Sequence, residues 1–337
     1  MRYRFQFRRY RQPFRRVVRT AHGPWSQREG VFVRLEDAGG QIGFGEAAPI
    51  PWFGTESVDQ VEAGCKALGE WVEAAVLDAV PSRLGCLRNA ISVARGQLSS
   101  TTASLKVPDL GVAALLPAGQ AALADLPSKA DAGFRFFKWK VGVSGMDEEL
   151  GLLDDLCGAL PDGAKLRLDA NGGWDRRKAS KWLERCADRP VEFVEQPIAS
   201  DARGAQDLLL GLAGDFPTAI ALDESLILDG DVERWVGLGW RGVYVVKSSL
   251  LSEPASAMAR LAATKAEVVF SSALETAVGA RAALRLAFDW TGPRRALGFG
   301  VWPLFAETQF DGPYATPFLS RAEVERINPE TVWNALT

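Results

Sequence analysis

Hydrophobic and polar positions alternate with a period of two at the start of the chain. Tyr3, Phe5 and Phe7 interleave with Arg4, Gln6 and Arg8, the pattern of a strand with one wet face. Gly30 to Glu36 alternates again, Ala38-Gly39-Gly40 supplies a turn, and Gln41 to Glu46 returns. Antiparallel strands are therefore predicted over residues 1–50. A Pro/Gly/aromatic loop occupies 48–55. Ser57 followed by Gln60 is a capping-box arrangement. Val61, Leu68, Trp71, Val72 and Ala75 then form an apolar stripe, which predicts one helix from Ser57 to about Ala79. A second helix is predicted over 85–98. Residues 1–104 read as an α+β unit.

From about residue 110 the pattern changes. Short apolar runs recur at 112–116, 134–141, 165–169, 191–195, 219–223, 243–247, 267–271 and 296–299, and helix-like stretches separate them. Strand–helix alternation implies parallel βαβ units, and eight such strands predict a closed barrel. The fold class expected is α/β, a (β/α)8-type (TIM-like) barrel over 105–302 with an N-terminal α+β capping domain over 1–104. Residues 303–337 are expected to pack back on barrel or cap. The rival, an open doubly wound sheet, calls for a Gly-rich phosphate turn after its first strand, and none follows 112–116.

Composition narrows the function. The chain has 337 residues, 47% hydrophobic and 24% charged, as in a globular protein with a real core. No apolar run approaches the ~18–20 residues that span a bilayer, so no membrane partner is expected. The net charge of −3 gives no reason to expect nucleic acid. Residues 1–20 hold eight arginines and no acid, which is also the composition of a targeting peptide or a nucleic-acid arm; the alternation favours a strand. Cys65, Cys86, Cys157 and Cys186 lie far apart without a CxxC and read as reduced thiols of a cytoplasmic protein. His22 is the single histidine, which excludes a His-rich metal site.

The candidate chemistry lies where the apolar runs end. The second ends near Lys138 and Lys140, the third at Asp169, the fourth at Glu195, the fifth at Asp223, the sixth at Lys247 and the seventh at Ser271 and Ser272. In a barrel these ends meet at one face, where active sites lie. Asp169, Glu195 and Asp223 are 26 and 28 residues apart, about one βα unit each. Three converging carboxylates repel unless a cation sits among them. Hard oxygen donors without His or Cys point to Mg²⁺, with Mn²⁺ as an alternative. Lys138 and Lys140 are two apart and share one side of a strand, with Trp139 facing the helices. Neighbouring ammonium groups disfavour each other's charge, so the amine nearer a substrate is expected to have a lowered pKa and to act as a base near neutrality. Arg167 shares the side of Asp169 and could pair with a carboxylate. The plainer alternative is that each acid caps a helix or sits on the surface; Asp169 could simply cap the helix after it.

These residues resemble the enolase superfamily, its muconate-lactonizing-like subgroup, and within it the o-succinylbenzoate synthases. The resemblance rests on GFGEAAPIPWFGTES at 43–57, FKWKVGV at 137–143, RLDANGGW at 167–174, FVEQPI at 193–198, ALDES at 221–225, VVKSSL at 245–250 and SSALETAVG at 271–279. It implies that Asp169, Glu195 and Asp223 bind Mg²⁺, that Lys140 is the acid/base, and that Lys247 faces it across the substrate. Asn171 and Glu224 would stand behind the ligands or beside the substrate, and Arg167 behind them. Lys138, Ser271, Ser272, Gly298 and Gly300 would contact substrate, with the 48–55 loop closing over the site. Gln196 and Ser248 depart from common forms of these motifs just outside the ligands.

The resemblance further implies a small-molecule carboxylate substrate, 2-succinyl-6-hydroxy-2,4-cyclohexadiene-1-carboxylate. Syn dehydration through a metal-stabilised ene-diolate would give 2-succinylbenzoate on the route to menaquinone or phylloquinone. The same two lysines could instead run a 1,1-proton transfer, as in an N-acylamino acid racemase or dipeptide epimerase, or a lactonising cycloisomerase could use the scaffold. A binding protein that uses its basic first strand is the alternative outside enzymes. Monomer and dimer are both compatible with the sequence.

Overall fold

The computed structural model describes residues 1–20, 22–99 and 107–336. The alternating N-terminal run forms β1 (Arg2–Thr20), which buries Tyr3, Phe5 and Tyr10. It pairs with β2 (Gly23–Glu36), and β2 pairs with β3 (Ile42–Ala47), both antiparallel. The basic side chains of β1 find partners within the chain: Arg4 on Glu70 at 2.9 Å, Arg9 on Asp59 at 2.7 Å and Glu62 at 3.0 Å. That places them on a structured face rather than in a free arm.

Ser57 caps α1 (Val58–Leu68) through the predicted box with Gln60. The single helix expected from Ser57 to Ala79 does not form. Gly69, at φ 71°, ends α1, and Trp71–Glu73 becomes β4, which pairs with Arg2–Arg4. The edge of β1 offers backbone groups that need partners, and this pairing outweighs the helical period of the side chains. The short α2 (Ala74–Asp78) and α3 (Gly85–Ser99) follow. The sheet order is β3-β2-β1-β4. Gly43 and Gly45 let α3 lie directly on β3: a Cβ on either would stand about 2.0 Å and 1.9 Å from the carbonyls of Ala94 and Ala90.

The barrel follows in the predicted alternation. After β5 (Leu110–Gly111), its strands and helices are β6 (Ala113–Leu116), α4 (Ala121–Asp131), β7 (Phe136–Lys140), α5 (Met146–Ala159), β8 (Lys165–Asp169), α6 (Arg176–Cys186) and β9 (Val191–Glu195). Then come α7 (Ala205–Asp215), β10 (Ile220–Leu222), α8 (Asp229–Gly237), β11 (Val243–Val246), α9 (Pro254–Ala263), β12 (Glu267–Phe270) and α10 (Ala277–Asp289). Seven strands lie side by side from β6 to β12, all parallel. The eighth position, expected at 296–299, is filled by a short segment. Gly298 bridges to Ser271 and Leu297 to Val112, which joins β12 to β6 and closes the ring. Among the described residues no barrel helix follows it. The chain returns to the cap, where Phe305 pairs with Phe14, and ends in β13 (Phe318–Leu319), α11 (Arg321–Glu325) and α12 (Pro329–Asn334). The expected boundary between residues 104 and 105 lies outside the described residues.

Cap and barrel meet through buried acids. Glu46, at the end of β3, accepts hydrogen bonds from Thr276 N (3.0 Å), Thr276 Oγ1 (2.6 Å), Gly279 N (2.7 Å) and the Tyr10 hydroxyl (2.5 Å). A cap-domain carboxylate thus satisfies the first turn of α10, where the helix dipole favours negative charge. Beside it, Glu275 accepts from Ala273 N at 2.6 Å and Ser272 Oγ at 3.1 Å, while its Oε1 has no partner. Burial first, and the charge of Glu46 as well, push the Glu275 carboxyl up from 4.5 to about 7. The folded state therefore favours the protonated form. The stability this contributes is complete below about pH 4.5 and is lost as pH rises through 7. Glu275→Gln, which mimics the neutral acid, is expected to gain stability relative to the parent as pH goes from 5 to 8, read by urea unfolding at each pH. A constant difference across that range would mean that Glu275 does not titrate there.

Candidate active site

Parallel strands put their C-terminal ends on one face, so register decides which side chains meet. Lys140 is the Cα partner of Asp169, and Asp169 of Glu195. Glu195 pairs with Ala221, which sets Asp223 two residues further along, just past β10. Three consecutive strands therefore bring three acids to the same end of the barrel, where Asp169 and Asp223 line the cavity and Glu195 is buried beside them. Trp139, between the two lysines, turns outward against Trp182 at 6.4 Å. Lys140 and Lys247 stand at the ends of β7 and β11. Four strand steps in an eight-position ring make these opposite walls. The bland role proposed for Asp169 falls to another residue: Asp175 caps α6, accepting from Lys178 N at 2.8 Å.

The lysines differ sharply in their surroundings. Lys138 Nζ lies 2.6 Å from Glu195 Oε1 and 2.9 Å from Asp169 Oδ2. Burial works against its charge, but Asp169, Glu195 and Asp223 outweigh that and hold it well above the ordinary lysine value. Lys138 thus pairs with the acids rather than standing free beside a substrate. The acids around Lys138 outweigh any weakening of its charge by a neighbouring ammonium. Lys247 is bound to Asp223, and Asp223 with Glu224 raises its pKa against the effect of burial. Lys140 lines the cavity and takes no ion-pair partner among the described residues. Burial drives the Glu195 carboxyl well above the usual range against the pull of Lys138, with Asp169 and Asp223 adding repulsion. Asp223 is held low, because Lys247 and Lys138 outweigh its own burial. Glu224 is pushed up to about 7 by burial and by Asp223.

The remaining predicted residues divide. Asn171, at φ 43°, donates to Glu224 Oε1 at 3.1 Å, and both line the cavity. Ser271, Ser272 and Gly298 line it as well. Gly300 does not: a Cβ there would come about 2.3 Å from the Ala113 carbonyl, so this glycine serves barrel closure rather than the lining. Arg167 also lies away from the acids at the mouth. Its Nε bonds Glu192 at 2.6 Å, and its guanidinium sits 5.0 Å from the Phe193 ring. Glu192 is shared with Arg295 at 2.5 Å. Position 167 is two residues below the strand end, one layer deeper in the barrel, which is why its partners come from that layer.

Two contributors were only partly legible in the sequence: Gln196 stood there as a departure from the common motif, and of the roof only the 48–55 loop was expected. Gln196, fully buried at φ 40°, accepts from Asp223 N (2.9 Å) and Ser225 N (3.1 Å) through Oε1, and donates from Nε2 to Ser225 Oγ (2.7 Å) and Ile198 O (2.8 Å). It fixes the backbone that carries Asp223, a role invisible without the partner strand. The second is the roof. Trp25, Ile50, Trp52 and Phe53 of the cap and Leu115, Leu116 and Val301 of the barrel enclose a cavity of about 630 Å³ over the acids. Trp25 and Trp52 meet edge to face at 4.8 Å, and Lys247 Nζ lies 5.2 Å from the Phe53 ring. An apolar cavity around a few convergent charges suits a small organic anion.

The donors fit a hard divalent cation in kind. All are carboxylate oxygens, and one ammonium reaches both Asp169 and Glu195, so those two acids are within reach of a single cation. Among the described residues no three acids cage a common point as they stand. The ammonium groups of Lys138 and Lys247 supply the positive charge among them.

Two family models match the chain. One described as "MenC, N-terminal domain" matches residues 2–96, and one described as "Enolase C-terminal domain-like" matches 122–315. An o-succinylbenzoate synthase of Thermosynechococcus vestitus is 40% identical over 303 residues, covering 88% of this chain and 92% of that one. This chain belongs to the o-succinylbenzoate synthase family. The family lies within the enolase superfamily, and its members are lyases. The crystal structure of o-succinylbenzoate synthase from Thermosynechococcus elongatus BP-1, complexed with Mg in the active site, superposes with a TM-score of 0.84 at 36% identity, over 98% of this chain and 99% of that one. The L-Ala-D/L-Glu epimerase from Bacillus subtilis shares the fold, with a TM-score of 0.79 at 21% identity over 94% of this chain and 95% of that one. Among the described residues no helix is long and apolar enough to cross a membrane.

Proposed function

We propose that this enzyme dehydrates 2-succinyl-6-hydroxy-2,4-cyclohexadiene-1-carboxylate to 2-succinylbenzoate. The observation that carries the reading is the 40% identity to an o-succinylbenzoate synthase over 88% of this chain; the amines on opposite walls, of which Lys140 has no carboxylate partner among the described residues, supply the chemistry. Asp169, Glu195 and Asp223 would hold a divalent cation. The chemistry of their oxygens favours Mg²⁺, the ion that the related Thermosynechococcus elongatus synthase carries in its active site. When bound, that ion supplies positive charge beside the substrate carboxylate, where negative charge builds as the α-proton leaves.

The chain's own residues do the rest. Lys140 Nζ accepts the α-proton, and the electrons of that C–H bond remain on the substrate. The ammonium so formed returns the proton to the departing β-hydroxyl on the same face, the C–O bond breaks, and water leaves as the ring becomes aromatic. Lys247, opposite, holds positive charge over the other face of the ring. Its ammonium is anchored by Asp223 and so stays charged while Lys140 cycles. Ser271, Ser272 and Gly298 take the succinyl tail at the β12 end of the cavity, while the aromatic roof excludes water. The expected result is loss of the diene absorbance on mixing with the cyclohexadiene acid, dependent on added Mg²⁺ or Mn²⁺. The alternative, a racemase or epimerase, predicts deuterium entering an N-succinyl amino acid or dipeptide in D₂O while the diene stays intact, and that outcome would replace the synthase reading.

A further inference from the structure

Arg28 is a charged residue buried in the cap without an ion-pair partner among the described residues. It lies on β2 and is 1% exposed. A buried guanidinium without a counter-ion is costly unless every N–H finds an acceptor. All five do. Nε donates to Leu274 O at 3.2 Å. Nη1 donates to Pro49 O at 2.7 Å and Glu29 O at 3.3 Å. Nη2 donates to Ala48 O and, at 3.5 Å, to Ala273 O. Its flat face lies 5.1 Å from the ring of Trp25.

Those carbonyls come from three separate segments, and each leads to the cavity. Ala48 and Pro49 open the loop that carries Trp52 and Phe53. Ala273 and Leu274 follow directly on Ser271 and Ser272, and Leu274 is held at φ 58°, a strained conformation for a leucine. Glu29 belongs to β2, which carries Trp25. One side chain therefore fixes the aromatic roof relative to the polar end of the cavity. Planarity and donor count make this a task for arginine: lysine has three donors on a flexible stem and cannot reach five carbonyls in a plane.

We infer that Arg28 is a positioning residue, which sets the separation between the aromatic roof and the Ser271–Ser272 end and thereby the fit of one substrate. This inference rests on the proposed function for its kinetic readout, but not for its structural one. Arg28→Lys and Arg28→Ala are to be made in the full chain. Hydrogen exchange is expected to speed up in peptides covering 48–56 and 271–276, with the exchange of β8 and β9 unchanged. The catalytic efficiency toward the cyclohexadiene acid is expected to fall about 10²-fold, the order associated with displacements of about 1 Å at a site. Most of that loss is expected in KM. Millimolar methylguanidinium is expected to restore part of it to Arg28→Ala, and methylammonium is not, a distinction that general loss of folding would not produce. Unchanged exchange in both segments, or unchanged efficiency despite faster exchange, would overturn the inference. If Arg28→Ala does not fold, Arg28→Lys carries the same two tests. If the parent enzyme leaves the diene intact, the proposed function fails, while the exchange experiment still decides whether Arg28 clamps the two segments.

Discussion

Lys140→Ala is expected to lower dehydration by about 10²–10⁴-fold, leaving the melting temperature and divalent-cation affinity close to those of the parent. The size follows from what the other amines can do. Lys138 is committed to Asp169 and Glu195, and Lys247 to Asp223. Neither can release its proton without leaving a buried carboxylate unpaired. Among the described residues that line the cavity, Lys140 is the amine without a carboxylate partner. Lys140→Arg is expected to be as inactive as Lys140→Ala, since a guanidinium keeps the charge but does not give up its proton. Because Lys140 takes no ion-pair partner, its loss leaves nothing buried and unsatisfied, so folding should not suffer. Turnover within tenfold of the parent in either variant, with the diene assay, would remove Lys140 from the acid/base role.

The second large effect is expected at Asp223. Asp223→Asn keeps the shape but withdraws the negative charge, both from the cation site and from Lys247. Activity is expected to fall at least about 10²–10³-fold, and titration calorimetry with Mg²⁺ is expected to show weaker binding. Asp223→Ala is expected to cost stability as well, about 3–5 kcal/mol in the absence of divalent cation, because it leaves the Lys247 ammonium, 11% exposed, without its counter-charge. Urea unfolding in chelator gives that number. Parent-like cation affinity in Asp223→Asn would take Asp223 out of the ligand set and return it to a structural ion pair.

The fold was largely legible because its signals are local. The period of two in β1, the apolar runs that became β6 to β12, and the capping box at Ser57 each depend only on neighbours in the chain. Where local and long-range demands conflict, the reading failed. Trp71–Val72–Glu73 has helical spacing yet pairs with β1, because a strand edge there lacked a partner. Gly300 carries no mark that separates a cavity wall from a closing turn; the Ala113 carbonyl against it does.

The sequence by itself determined that Asp169, Glu195 and Asp223 reach one face of a barrel, and that lysines stand to either side of them. Strand length and parallel order set where a side chain emerges, and both are encoded in the spacing of apolar runs. Only the tertiary structure decided which amine is tied to which acid, that Arg167 serves the layer beneath, that Gln196 holds the Asp223 backbone, and that Arg28 joins roof to floor. Those are pairings between residues tens to hundreds of positions apart. Distance and burial choose them, because a buried charge or amide takes whatever partner the packing brings within about 3 Å.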